Sequence, residues 1–328
     1  MNESRPKDGA VVYLPQYRAC VCECHPGWPY LRFSRDGRLI AVLEQLIMDP
    51  GLIAIDDGSG HGIMTRKGWR RLNLSACAEW LVYQECEGGA VELWSFPAAE
   101  RLHRFFLPED VTVAEFRPDG RQLAFLLGRD FPGIWWWDSG SRNRGPIGGN
   151  HVFSFLTYSG DSRFLAAASD DRRIHLWNAQ TMQSVAIAPP QDAINGLSLN
   201  EDGSWLAAGA GEDVRIWESP GGLARCLSIG EPVWRTYFSP RGDLLAVVHE
   251  NGVQMWNART GERLGNFEFA VGRMTFQLTF RPDGAAVAWG NGLRAGGGPM
   301  VNPALGFFSL ENGAGASTLA CPPVFTYR

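Results

Sequence analysis

Lysine is almost missing from this chain. Only Lys7 and Lys67 occur, so 28 of the 30 basic residues are arginine, a bias that GC-rich coding produces without any functional cause. Long apolar runs are missing too. No stretch approaches the roughly 20 residues that a membrane-spanning helix needs. The opening residues 1–9 are polar and carry no secretory apolar core. There is no excess of positive charge: the net charge is −5, which argues against a general nucleic-acid binder. The seven cysteines are odd in number and dispersed, which suits a reducing compartment better than a disulfide scaffold. These features together lead to an expectation of a cytoplasmic protein with no membrane partner. What is abundant is 39 glycines, 20 prolines and 13 tryptophans in 328 residues. Many turn-formers with many aromatic residues point to short strands.

A repeat organises the strands. The pairs Ile40-Ala41, Leu81-Val82, Leu123-Ala124, Leu165-Ala166, Leu206-Ala207, Leu245-Ala246 and Val287-Ala288 recur every 39–42 residues. Most follow a turn containing Gly and Asp, such as Pro118-Asp119-Gly120 or Glu201-Asp202-Gly203. A third run ends in an aromatic residue, as in Ile174-His175-Leu176-Trp177 and Val214-Arg215-Ile216-Trp217. A fourth run follows, for example residues 263–267. Even spacing of short strands predicts an all-β repeat with four antiparallel strands, a to d, per copy. One such sheet cannot hide two apolar faces alone, and radial stacking covers both. Seven copies use nearly the whole chain. The expectation is a single domain over 1–328, a seven-bladed β-propeller with residues 1–16 as a partly ordered extension.

Over residues 17–321 the chain resembles WD40-repeat β-propellers. The resemblance is strongest at residues 169–178, and Trp137-Asp138 is the one literal Trp-Asp pair at the end of strand c. It implies a structural tetrad of His151, Ser169, Asp171 and Trp177, in which the Asp holds the His, which reaches the Ser and then the Trp. Counting by repeat spacing puts ring closure in the seventh blade, where residues 17–23 and 317–321 both fit the strand-d position, so one of them is a fifth, outer strand or is displaced.

Chemical motifs are sparse. There is no Gly-x-Ser-x-Gly elbow, His-Glu-x-x-His pair or Walker loop, and the sequence pattern leads to no expectation of a general-base histidine with a paired carboxylate and nucleophile. The expectation is no enzyme, no cofactor and no obligate metal. Cys20, Cys22 and Cys24 with His25 form the most metal-like segment, but one flat row of thiols cannot surround a tetrahedral ion, and a buried apolar face is the simpler reading. The glycine-rich residues 290–299 read as a flexible insertion, and the basic residues 66–71 as a solvated loop.

Two binding surfaces remain. Trp28, Trp69 and Trp234 fall near the entry to strand a, where they either pack between innermost strands or line a channel mouth that senses a small molecule or modified peptide. The b–c loops are longest in copies seven, one, two and three. They carry Leu46, Ile47, Met48, Phe131 and Leu293, flanked by Glu85, Arg129 and Arg294. An apolar centre with a charged rim is the anatomy of a protein interface. The leading expectation is therefore a scaffold that displays upper-face loops to a protein partner.

Overall fold

The computed structural model describes residues 29–33, 39–43, 52–55, 69–75, 80–85, 90–95, 100–140, 144–186, 194–218, 222–268, 275–284, 286–294 and 300–309. Every regular element among them is a strand. The first sheet holds β1 (Pro29–Phe33), β2 (Leu39–Leu43) and β3 (Leu52–Ile55). The second holds β4 (Trp69–Leu74), β5 (Trp80–Glu85), β6 (Val91–Ser95) and β7 (Arg101–Phe105). The third is β8 (Val113–Phe116), β9 (Gln122–Leu126), β10 (Ile134–Asp138) and β11 (Arg144–Ile147). The fourth is β12 (Phe153–Tyr158), β13 (Phe164–Ser169), β14 (Ile174–Asn178) and β15 (Ser184–Ala186). The fifth is β16 (Ile194–Leu199), β17 (Trp205–Ala210), β18 (Asp213–Glu218) and β19 (Leu223–Ser228). The sixth is β20 (Val233–Phe238), β21 (Leu244–His249), β22 (Gly252–Asn257) and β23 (Arg263–Glu268). The last comprises β24 (Thr275–Phe280), β25 (Ala286–Arg294) and β26 (Met300–Ser309).

Each sheet is an antiparallel meander whose strands pair in chain order. The first strands adjoin in sequence, from β1 through β4, β8, β12, β16 and β20 to β24, and β24 returns to β1. The seven sheets therefore close a ring, and the fold is a β-propeller. The outer strands expected in the first and seventh blades, the competing segments 17–23 and 317–321 and the extension 1–16 lie outside the described residues. No helix among the described residues is long and apolar enough to cross a membrane.

The apolar residues explain the ring. Strand b is the most buried element: Leu123, Leu165, Leu206 and Leu245 are each 0% exposed. The cores lie between sheets. Ala124, Leu126 and Ile134 of blade three pack with Phe153, Leu156, Leu165 and Trp177 of blade four. Val214, Ile216 and Leu227 of blade five pack with Val233, Leu245 and Trp256 of blade six. Fully burying each such side chain is worth about 1.5–3 kcal/mol, so each blade is stable only against its neighbours.

Loop bonds distinguish two faces. The b–c turns touch the d–a loops: the Gly133 amide donates to His151 O (2.9 Å), Asp170 to Val152 O (2.9 Å) and Val233 to Gly211 O (2.8 Å). The a–b and c–d turns meet on the other face, where Ser139 donates to Arg121 O (2.9 Å) and Ala179 to Arg163 O (2.7 Å). One sequence expectation changes. Residues 290–294 are not a flexible insertion; β25 and β26 continue as a long hairpin, pairing Leu293 with Val301 and Arg294 with Met300 beyond a bulge at Asn291/Leu293.

Candidate functional site

Three segments converge on the b–c face of blades two and three. The β7–β8 connection is anchored by Val111, which is 4% exposed, packed in the blade two–three core beside Phe105, Phe116 and Phe125. Thr112 clamps it further, its amide donating to Leu126 O at 2.7 Å and its hydroxyl to the same oxygen at 3.1 Å. Those anchors fix Glu109 and Asp110. Gln84 of β5, 2% exposed, donates from Nε2 to Asp110 Oδ1 at 3.0 Å. On the other side, residues 128–131 form a turn closed by the Phe131 amide donating to Gly128 O at 3.2 Å. The Glu109 carboxylate occupies the space a Cβ would take at Gly128, so the turn and this side chain are in close contact.

The turn presents Arg129, Asp130 and Phe131 outward, with Phe131 37% exposed. At the same corner, Gln84 Oε1 and Glu109 Oε2 are buried with no hydrogen-bond partner among the described residues. Buried acceptors are almost always satisfied, and leaving one unmade costs about 1–3 kcal/mol. The corner is thus short of donors and offers an aromatic side chain beside them. Of the residues expected to bind a partner, it brings together Arg129 and Phe131, and Glu85 follows Gln84 at the end of β5.

The others are dispersed. Leu46, Ile47 and Met48 lie outside the described residues, and Leu293 and Arg294 sit on the hairpin strand β25 rather than in a loop. Trp28 is outside the described residues. Trp69 opens β4 paired with Glu85, whereas Trp234 sits at a bulge that the β20–β21 pairing passes over. The two are therefore not equivalent backbone positions, although four repeats separate them in sequence. Trp234 packs against the blade six–seven core with Met255, Leu278 and Phe280.

The second cluster is the b–c corner of blade four, where His151, Ser169, Asp171 and Trp177 gather. Ser169, at the end of β13, donates its hydroxyl to Asp171 Oδ1. The Arg173 amide donates to the same oxygen at 2.9 Å. His151 Nδ1 lies 3.8 Å from Asp171 Oδ2 and 3.6 Å from Asp170 Oδ1. The imidazole beside Ser169 is His175, with Nε2 3.2 Å from the hydroxyl and 3.6 Å from Asp171 Oδ1. Trp177 joins by stacking on His175, centroids 5.7 Å apart at 16°. Burial works against an ionised Asp171, but the Ser169 hydroxyl, the Arg173 amide and the two imidazoles outweigh it and hold the carboxyl below its ordinary value. Burial lowers the His175 imidazole in spite of Asp171 beside it.

His175 is the participant the tetrad reading leaves out. Its signal was positional: the residue two before the strand-c Trp faces that Trp in other blades as well. Trp94 donates Nε1 to Glu92 at 3.0 Å, and Trp256 to Gln254 at 3.2 Å.

Comparison with known proteins agrees with this geometry. Residues 147–178 and 183–218 match the repeat family described as WD domain, G-beta repeat. Each match starts beside or on one blade's outer strand and ends on strand c of the next, so one sequence repeat interlocks two blades. Apoptotic protease-activating factor 1 of Rattus norvegicus is 24% identical over 280 residues, covering 80% of this chain and 21% of that protein. Eukaryotic translation initiation factor 3 subunit I of Neosartorya fischeri is 25% identical over 177 residues, covering 47% of this chain and 52% of that one. The chain thus spans about a fifth and about half of the lengths of these relatives. The β-propeller domain of Myceliophteria thermophila Cps50 (Swd1) superimposes with a TM-score of 0.65 at 16% identity, over 89% of this chain and 98% of that one, a likeness of fold. The chain thus carries WD40-type repeats at residues 147–178 and 183–218, on a closed ring of seven sheets that has the β-propeller fold.

Proposed function

We propose that the protein is a non-catalytic interaction scaffold that engages a protein partner through the b–c face of blades two and three. WD40 propellers generally bind proteins, which supports the class of function. The location rests on one observation: two buried acceptors, Gln84 Oε1 and Glu109 Oε2, have no donor among the described residues at the corner whose turn exposes Phe131. A partner that inserts a donor side chain, arginine above all, satisfies the acceptors while an apolar neighbour covers Phe131. Aromatic and charged anchors of this kind carry most binding energy at interfaces. The ring's part is rigidity, since loops held by Thr112 and Val111 lose little freedom on binding.

Affinity capture from the native host tests this, using the wild type, Phe131→Asp and Glu109→Ala. Both variants are expected to keep the wild-type circular dichroism spectrum while losing the captured partner. Capture of the same partner at undiminished yield by both variants refutes the assignment.

A further inference from the structure

The two histidines at the blade-four corner exceed what a hydrogen-bonded corner needs. One imidazole beside Ser169 and Asp171 would hold the turn. Here a second ring stands 5.1 Å from the first, tilted by 47°. A nitrogen of each points toward the same carboxylate, His151 Nδ1 toward Oδ2 and His175 Nε2 toward Oδ1 of Asp171. One ligand atom from each of these three residues lies within 4.8 Å of the other two.

We propose that His151, Asp171 and His175 form a binding site for a divalent transition-metal ion of the zinc class. Zinc bonds of roughly 2.0–2.2 Å at tetrahedral angles place neighbouring ligand atoms about 3.3–3.5 Å apart. The His175 and His151 nitrogens lie 3.6 and 3.8 Å from different oxygens of Asp171, Oδ1 and Oδ2, and one ligand atom from each residue falls within 4.8 Å of the others, so side-chain rotation must draw the three together around an ion. Two imidazoles and one carboxylate suit zinc and its neighbours rather than calcium or magnesium, which take oxygen ligands. Asp170 Oδ1, 3.6 Å from His151 Nδ1, or a water supplies the fourth position. With Asp170 included, the two carboxylates balance the charge of the ion.

The surroundings hold these ligands in place, as outer contacts do in metal sites. Trp177 stacks on the His175 ring, and the Arg173 amide and Ser169 hydroxyl fix Asp171. Side-chain exposures of 42%, 26% and 21% for His151, Asp171 and His175 leave an open entry path. The ligands come from three separate segments: the loop before β12, the β13–β14 turn and β14 itself. A bound ion would therefore tie blade four's entry loop to its b–c turn.

The test uses the full chain after treatment with a chelator, titrated with zinc chloride by calorimetry and with cobalt(II) by absorption. One ion per chain is expected, with a visible cobalt spectrum of nitrogen and oxygen ligands and no thiolate charge-transfer band. His151→Ala and His175→Ala should each weaken zinc binding by about tenfold or more. His175→Gln keeps the bulk of the ring position and should weaken it as much, which covers an alanine variant that fails to fold. A triple Cys20→Ser, Cys22→Ser, Cys24→Ser variant should bind as the wild type does. Zinc should raise the melting temperature of the wild type and not of His175→Gln. The proposal is overturned by absence of saturable binding, by unchanged affinity in the histidine variants, or by loss of binding in the cysteine variant.

Discussion

Replacing Gly196 with alanine should destabilise the ring, although it adds only one methyl group. Gly196 lies on β16, innermost in blade five, and pairs with Gly209 on β17. Both face blade six. A Cβ at Gly196 would stand 2.7 Å from the Arg235 Cα and 3.0 Å from the Thr236 amide nitrogen. These are backbone atoms of β20, so nothing short of a shift of the strand relieves the clash. At Gly209 the obstacle is a side chain, Val233 Cγ1 at 2.5 Å. Neither glycine has positive φ, so alanine gains about 0.4–1 kcal/mol from the unfolded state. Overpacking costs about 1–3 kcal/mol and more when backbone must move. Gly196→Ala should therefore lose about 1–2 kcal/mol net, read by urea denaturation as a lower midpoint at unchanged slope. Gly209→Ala should lose less when combined with Val233→Ala than the two single losses predict, because Val233→Ala removes the obstructing methyl. Gly196→Ala should show no such rescue. Gly222→Ala, with nothing within 4 Å of its Cβ, is the control and should be near neutral. Full stability in Gly196→Ala would refute the close approach of β16 and β20.

Leu245→Ala, at a position 0% exposed between blades five and six, should cost about 2–5 kcal/mol by the same denaturation assay. Glu201 is pushed above its ordinary value of 4.5 by burial, then by Asp161 and Asp202. A carboxyl with a raised folded pKa weakens the fold as pH climbs from below 4.5 through that raised value, so Glu201→Gln should raise the melting temperature at neutral pH and not in acid. Asp202 has the opposite sign. Hydrogen bonds from Ser204 lead in holding it below 3.8, so its contribution is present above 3.8 and is lost as pH falls through the lower folded value. Asp202→Asn should therefore be less stable near neutrality and equal to the wild type in strong acid.

Much of the fold was legible because its signals are local and repeated. The spacing of Leu165-Ala166 and its counterparts marks strand b, and every counterpart in the described set lies on such a strand. The Trp at the end of strand c is legible for the same reason. Features that depend on the neighbouring blade were not. The bulge at Trp234 shifts it against Trp69 by a register that sequence spacing does not record. The segment around Gly290 and Gly292 read as a loop because its pairing, Gly290 with Leu305 and Leu293 with Val301, is set across the hairpin. The blade two–three corner was visible only in part. Arg129 and Phe131 announce themselves in a long turn, but Gln84 and Glu109 become informative only when burial leaves their oxygens without donors. His175 was legible as a polar position on strand c, but not as a partner of His151.

The two faces of the ring differ in how much bonding they use on themselves. On the a–b face the turns repeat one device. The amides of Arg121, Arg163 and Ser204 donate to Asp119, Asp161 and Asp202, each at 3.0 Å. The turns also bond to one another. The Asp119 amide donates to Ser162 Oγ at 3.0 Å, Asp161 to Glu201 O at 2.7 Å, and Arg163 Nη2 to Asp202 O at 3.0 Å. These bonds run as a hoop from blade three to blade five, and they use most of the polar groups of those turns. The b–c face of blades two and three has the reverse character, with acceptors buried and unmet beside an exposed aromatic ring. A surface that satisfies itself serves the ring's stability. One that leaves its acceptors short of donors can be completed by something else, and that contrast is the ground on which recognition is proposed for the b–c face.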